Sequence, residues 1–316
     1  MILTEKRYGE RLLHILWVVF RLFLLVGIGY VILYPILYML STSFRDPSDF
    51  LDPTVVWLSN KYTLGNFKEA LKLLKFSETF FNSLSYTLIS TVLQTFMTAF
   101  TGYGFSRGNF RFKKPLLGLL ILTIIVPVQI YSLPLYETFR FFDFLGIGQI
   151  FGPVFGVESS VALTNTGWVY YLPALFGAGI RSGIFTLVFF QFFGGFPKSV
   201  EEAALVDGAG VLKCYFRIIL PNALTAMVTV FLFSVVWYWN DFYYAGMMLS
   251  SKTTLPVILS SLPMTVKQVV GEVSNPVANS VKVQAACLLT ILPILLVFLA
   301  GQKFFVESAE KTGIVE

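Results

Sequence analysis

Residues 197–221 read Pro197-Lys198-Ser199-Val200-Glu201-Glu202-Ala203-Ala204-Leu205-Val206-Asp207-Gly208-Ala209-Gly210, then Val211-Leu212-Lys213-Cys214-Tyr215-Phe216-Arg217-Ile218-Ile219-Leu220-Pro221. They form a charged island between two long apolar runs, 159–197 and 218–240. Ser199 is placed to cap a short helix, and Glu202 lies three residues on, as a capping box requires. Glu201 and Glu202 fall in the first turn, where the helix dipole favours acids. Ala203 and Ala204 keep the helix slim, and Gly208 and Gly210 are placed to end it. A second amphipathic piece, Val211 to Ile219, leads back to the apolar run and stops at Pro221. A small helix slung between two apolar runs, with a nearly bare alanine face, has the shape to enter a groove on another protein. The alternative is a connector lying on lipid headgroups.

The flanking sequence decides the environment. Uncharged apolar stretches occupy 22–44, 79–106, 116–136, 218–240 and 283–302, and 159–197 carries one charge, Arg181. Each can cross about 30 Å of hydrocarbon. The expectation is an all-α integral membrane protein with six spans, near 16–44, 79–105, 116–137, 172–196, 222–249 and 283–305, in one domain covering 1–316. The fourth stretch is rich in Gly and is interrupted by Pro173. The first run is too long for a cleavable signal and lacks a small-residue cleavage site, so it reads as a retained helix.

Composition agrees. Of 316 residues 56% are hydrophobic and 13% charged, with a mean hydropathy of +0.74, whereas soluble domains run near a quarter charged. This argues against a soluble enzyme, a disordered chain and a secreted disulfide scaffold. The net charge of +5 is spread through loops, with no basic cluster to bind nucleic acid. Two separated cysteines, Cys214 and Cys287, and a single histidine, His14, exclude a disulfide framework and the usual zinc sites. The short loop 107–115 carries Arg107, Arg111, Lys113 and Lys114 and no acid. By the positive-inside rule it is cytoplasmic, together with 197–221 and both termini. Loops 45–78, 137–158 and 251–282 then lie outside. The first has an amphipathic stretch from Phe67 to Phe76, and the last, with Pro256, Pro263, Gly271 and Pro276, reads as irregular.

Four further residues stand out. Arg181 would cost about 2.5–3.5 kcal/mol at a span centre, so it is either a pathway or inter-subunit contact or an outer-end arginine reaching the headgroups. Trp237, Asn240 and Asp241 close the fifth span. Aromatic faces beside polar groups suit sugar rings, and an interfacial aromatic belt is the alternative.

Glu202-Ala203-Ala204, then Gly208, then Ile218-x-Leu220-Pro221 match the EAA loop of bacterial ABC importer permeases without a gap. The chain resembles the carbohydrate, maltose-type branch over most of its length. Thr63-Leu64-Gly65-Asn66-Phe67 and Phe81-Asn82-Ser83-Leu84 are similar to the approach to the family's second span. Tyr103-Gly104-Phe105-Ser106-Arg107, Leu133-Pro134-Leu135-Tyr136, Trp239-Asn240-Asp241-Phe242 and Thr254-Leu255-Pro256-Val257 resemble later family motifs. Two features depart from the pattern. An insertion at about 148–163, containing Glu158, precedes Asn165-Thr166, and the tail Phe304 to Gly313 matches loosely.

The resemblance implies a type I importer permease fold with a cytoplasmic coupling helix, and a transport subunit rather than an enzyme. The partners it implies are a second, different permease chain, two ATPase domains and an external solute-binding protein, in a bacterial plasma membrane. The ATPase-coupling residues would be Glu201, Glu202, Ala203, Ala204, Asp207 and Gly208, with Glu202 bridging to a basic residue of the ATPase. This chain has no phosphate-binding Gly-rich loop. ATP and Mg2+ would therefore be used by the partner, and no cofactor is expected here. The cargo would be a sugar or oligosaccharide. The alternatives are a non-sugar importer of the same superfamily and an ion-coupled secondary transporter, which the lack of midspan acids disfavours.

Overall fold

The computed structural model describes the backbone of residues 2–49, 57–143, 146, 149, 160–270 and 276–313. Side chains are described for all of these except 2–12, 265–270, 276–278 and 304–313. The described residues form an all-helical chain with two isolated β-bridges, Arg45 with Tyr62 and Phe142 with Val161. Two compact units are evident, one of 1–72 with 263–289, the other of 73–262 with 290–316.

The first unit is built on α1 (Ile2–Ser43), whose apolar segment Leu13–Ser43 is long enough to cross a membrane. Its apolar side chains are exposed nearly throughout, as expected of a lipid-facing helix. Chain reversal after α1 is held by buried Asn66, whose Nδ2 donates to the carbonyls of Ser43 (3.0 Å) and Arg45 (2.8 Å). Asp49 accepts from the Ser59 hydroxyl and the Lys61 amide, both at 2.8 Å. These bonds favour the ionised carboxylate and hold its pKa below the usual range. The amphipathic stretch is helical as α2 (Gly65–Leu73), with Ala70 buried.

The second unit centres on α3 (Phe76–Arg107), 32 residues long. A face of small and polar side chains, among them Ser83, Thr87, Ser90, Gln94, Thr95 and Thr98, is buried. Small residues let helices approach closely. The third apolar stretch, expected as a span near 116–137, forms α4 (Lys113–Ile125) and α5 (Val128–Arg140), bent by 99°. The cause is Pro127, which drives Val126 into extended backbone (ψ 117°). The fourth stretch also splits, into α6 (Trp168–Leu175) and α7 (Ser182–Gly195). Pro173 sits inside α6, and the break follows it, with positive φ at Gly177 and Arg181.

Next come α8 (Lys198–Val206), α9 (Val211–Cys214), a π-helical turn Tyr215–Ile219 and α10 (Leu220–Asn222). The chain continues in α11 (Leu224–Trp239), α12 (Tyr243–Met248), α13 (Leu255–Val270) and α14 (Pro276–Gly313). The expectation that 251–282 is irregular is corrected by α13. Pro256 occupies its first turn, where no donor N–H is needed, and Pro263 is accommodated inside. Of α14, Asn279–Lys303 is long and apolar enough to cross a membrane. Most of the 148–163 insertion, including Glu158, lies outside the described residues. At its end Val161 bridges Phe142.

Motifs distant in sequence meet here. Asn82 Nδ2 donates to the Thr253 carbonyl (3.1 Å), and Ser83 Oγ accepts from the Leu255 amide (2.9 Å). Asn165, with φ +62°, accepts from the amides of Ser250 (2.6 Å) and Ser251 (2.9 Å).

Candidate functional site

The segment 198–222 lies crosswise to its flanking helices. The α7–α8 bend is 74°, and the bend between 211–222 and α11 is 75°. The N-terminal cap differs from the expected one. Pro197, in extended backbone, precedes the first helical residue Lys198, and no side chain caps the helix. Ser199 is thus inside the first turn, and the Ser199–Glu202 capping box is absent. A fixed proline at the boundary sets the entry angle without a side-chain bond. The C-terminal end forms as expected. Gly208 has φ +78°; its amide donates to the Leu205 carbonyl (3.0 Å), and the Ala209 amide to that of Ala204 (3.0 Å). This is a Schellman closure, in which only glycine adopts the left-handed conformation without cost.

The acids divide between two faces. Glu201 points inward, and its Oε1 accepts from Arg107 Nε at 2.7 Å, with both side chains mostly buried. Arg107 also donates to the Phe196 carbonyl, so the end of α3 clasps the start of α8. Ala204 is buried in a cluster with Ala99, Tyr103, Phe189, Phe193, Cys214 and Tyr215. Burial pushes the Cys214 thiol above its usual pKa, with the Glu201 charge adding to the effect. Glu202, Ala203, Asp207 and Gly208 are exposed. Beside them an apolar face stands open, with Val206 88% exposed and Leu205, Val211, Leu212 and Phe216 about half or more. The alanine face foreseen from the sequence is therefore split. Ala204 secures the helix to its own bundle, and the open face is carried by Leu205 and Val206.

The second candidate group is also divided. Asp241 is turned into the protein. Its carboxylate accepts from the Tyr170 hydroxyl (2.6 Å) and from the amides of Tyr244 (3.1 Å) and Ala245 (3.0 Å), capping α12. Asn240 is exposed, and its Nδ2 donates to the Val236 carbonyl (2.9 Å). Trp237 is 41% exposed, and the Arg181 guanidinium lies 4.6 Å from its ring centroid. The structure therefore joins Arg181 to Trp237 and bonds Asp241 to Tyr170 and the first turn of α12.

Behind that pair is a buried hub absent from the sequence reading. Gln94 is fully buried. Its Nε2 donates to the Ile180 carbonyl (2.8 Å) and to Ser234 Oγ (3.2 Å). Its Oε1 accepts from the hydroxyls of Tyr238 (2.7 Å) and Ser182 (3.3 Å). The Ile180 amide donates to Tyr238 Oη (3.3 Å). The helix break at 176–181 is thus satisfied by side chains. The available signal was the recurrence of Ser, Thr and Gln at helical spacing along 83–98. Arg107 was visible as a loop charge and as the end of the Tyr103–Arg107 motif, but not as a partner of Glu201. Among the described residues no group of three or more His, Cys, Asp or Glu is placed to hold a metal.

The profile of the family described as binding-protein-dependent transport system inner membrane component matches residues 94–310. A polygalacturonan/rhamnogalacturonan transport system permease protein of Bacillus subtilis (strain 168) is 26% identical over 304 residues, covering 92% of this chain and 96% of that one. A melibiose/raffinose/stachyose import permease protein of the same organism is 26% identical over 283 residues, covering 89% and 90%. Among solved structures, a bacterial ABC transporter involved in the import of the acidic polysaccharide alginate matches with a TM-score of 0.66 and 19% identity. That match covers 94% of this chain and 98% of the other.

Proposed function

Because the chain belongs to the family of inner membrane components of binding-protein-dependent transport systems, we propose that it is the permease subunit of a bacterial ATP-driven sugar or oligosaccharide importer. It is a multi-pass transport subunit of the plasma membrane, not an enzyme, and it works with an ATPase and a solute-binding protein. The observation that carries the reading is the crosswise segment 198–222 with its open apolar face. It lies in a chain that matches permeases named for saccharide transport over about nine-tenths of its length.

In this reading α8 is the coupling helix. Leu205 and Val206 enter a cleft of the ATPase, and Glu202, Ala203, Asp207 and Gly208 line the contact. Glu201 and Ala204 act from the other side and hold α8 to α3 and α7. ATP and Mg2+ are handled by the ATPase. When its two domains close, α8 is displaced, and the Arg107–Glu201 clasp carries that motion into α3. Two permease chains of different sequence, each with six spans and cytoplasmic termini, rock against each other and expose the pathway alternately. The bent pair α4–α5 then counts as one span, and so do α6 and α7 together. The energy delivered to this chain is a docking contact, and no covalent step occurs in it.

The test is reconstitution of the chain with its second permease, ATPase and binding protein in liposomes, with uptake of labelled oligosaccharides. ATP-dependent uptake that needs the binding protein is expected. Uptake that proceeds without ATP and follows an imposed ion gradient would overturn the reading.

A further inference from the structure

The break between α6 and α7 places an arginine where lipid does not favour one. α7 has 14 residues, about 21 Å at 1.5 Å per residue. With the α8 end at the cytoplasmic boundary, as in the reading above, Arg181 falls about 20 Å into a hydrocarbon layer of about 30 Å. Irregular backbone at that depth is tolerated where it is buried in protein or lines a water-filled cavity. The backbone of Ile180 is hydrogen-bonded on both sides, its carbonyl to Gln94 and its amide to Tyr238. The Arg181 side chain is exposed, and among the described residues no carboxylate lies within ion-pair distance of it.

The guanidinium instead lies over the Trp237 ring, 4.6 Å from its centroid. Stacking on an aromatic face holds the cation through the ring quadrupole. It leaves the edge of the planar fork, with its N–H donors, open to a carboxylate. The surrounding surface mixes apolar side chains, Ile184, Val188 and Phe233, with polar ones. The exposed stripe of α7 carries Gln191, and the exposed stripe of α11 carries Asn240 beside Trp237. A cation at this depth facing hydrocarbon would cost about 2.5–3.5 kcal/mol on insertion scales, and facing an aqueous pathway it would not.

We propose that Arg181, held on Trp237, recognises the carboxylate of an acidic sugar unit, a uronide, during its passage. The inference rests on the sugar-importer reading and adds the charge class of the cargo. A planar guanidinium lying over Trp237, with no carboxylate in ion-pair reach among the described residues, matches a carboxylate, while a neutral sugar leaves the charge unanswered.

The experiment uses the reconstituted four-component importer and two labelled probes of equal length, an oligogalacturonide and a neutral galacto-oligosaccharide. Wild type, Arg181→Lys, Arg181→Gln and Trp237→Phe are compared at equal recovery of the complex. Loss of a charge-assisted bond corresponds to about tenfold or more. Arg181→Gln should therefore reduce oligogalacturonide uptake at least that much, chiefly through KM, with Arg181→Lys intermediate. Neutral uptake should fall far less than oligogalacturonide uptake. Four results overturn the inference. They are unchanged acidic uptake in Arg181→Gln, an equal fall for both probes, loss of the second permease from the purified variant, and a wild type that carries only the neutral probe. The last leaves the importer reading standing, whereas absence of any ATP-driven uptake counts against that reading itself.

Discussion

Breaking the Arg107–Glu201 clasp should loosen α8 from α3 without unfolding the chain. The two charged groups meet at 2.7 Å with side-chain exposures of 12% and 14%. Fully exposed pairs contribute about 0.2–1 kcal/mol, and removing one partner of a buried pair costs about 3–5 kcal/mol. This pair lies between, nearer the buried case. Arg107→Ala also strips the Phe196 carbonyl of its donor, so a loss of about 2–3 kcal/mol follows. Glu201→Ala should cost somewhat less, because Arg107 keeps that carbonyl. The assay is a double-mutant cycle on the protein in nanodiscs, read by denaturant unfolding and, in parallel, by the ratio of ATP hydrolysed to sugar moved. A coupling energy of about 1–2 kcal/mol is expected, together with a raised ATP-to-sugar ratio. Additivity within about 0.5 kcal/mol would refute the reasoning, because the two side chains would then be acting independently.

Three other outcomes follow from the structure. Gly208→Ala must hold a Cβ at φ +78°, which costs about 1 kcal/mol; it should lower uptake more than Gly210→Ala, where φ is −67°. Gly179→Ala drives a Cβ into both Gln94 Oε1 and Tyr238 Oη. It should break the hub and sharply reduce folded protein on size-exclusion chromatography, whereas Gly195→Ala, with open space around it, should not. Cys214 is buried with a raised thiol pKa, so at neutral pH it should resist maleimide labelling in the folded protein and react only after denaturation. A Val206→Cys thiol should label at once.

What could be read from the sequence followed from local chemistry. The apolar run of α1 and the closing glycine of α8 depend on neighbours within a turn or two, and both stand where expected. The EAA spacing is likewise a local pattern, and it pointed to the family that the chain belongs to. Misreadings occurred where tertiary contacts or a single proline decide. Val126 and Pro127 sit in a run apolar enough for one span, yet the residue before a proline is pushed out of helix and the run folds by 99°. Ser199 and Glu202 have the spacing of a capping box, but Pro197 already fixes the boundary. Glu201 finds its partner 94 residues away, and Gln94 draws bonds from Ile180, Ser182, Ser234 and Tyr238. No periodicity encodes such pairings. Asp241 stood beside Trp237 as a candidate cargo contact, with an aromatic belt as the alternative reading of that cluster. Its real partners are the Tyr170 hydroxyl and the first amides of α12.

The most direct measurement places a photo-crosslinking residue at Val206, which is 88% exposed, and separately at Ala204, which is 6% exposed, in the assembled importer. Capture of the ATPase subunit from Val206 and not from Ala204, at equal yields of complex, is the predicted result. An intact complex in which Val206 captures only lipid, or captures nothing, would contradict docking through α8.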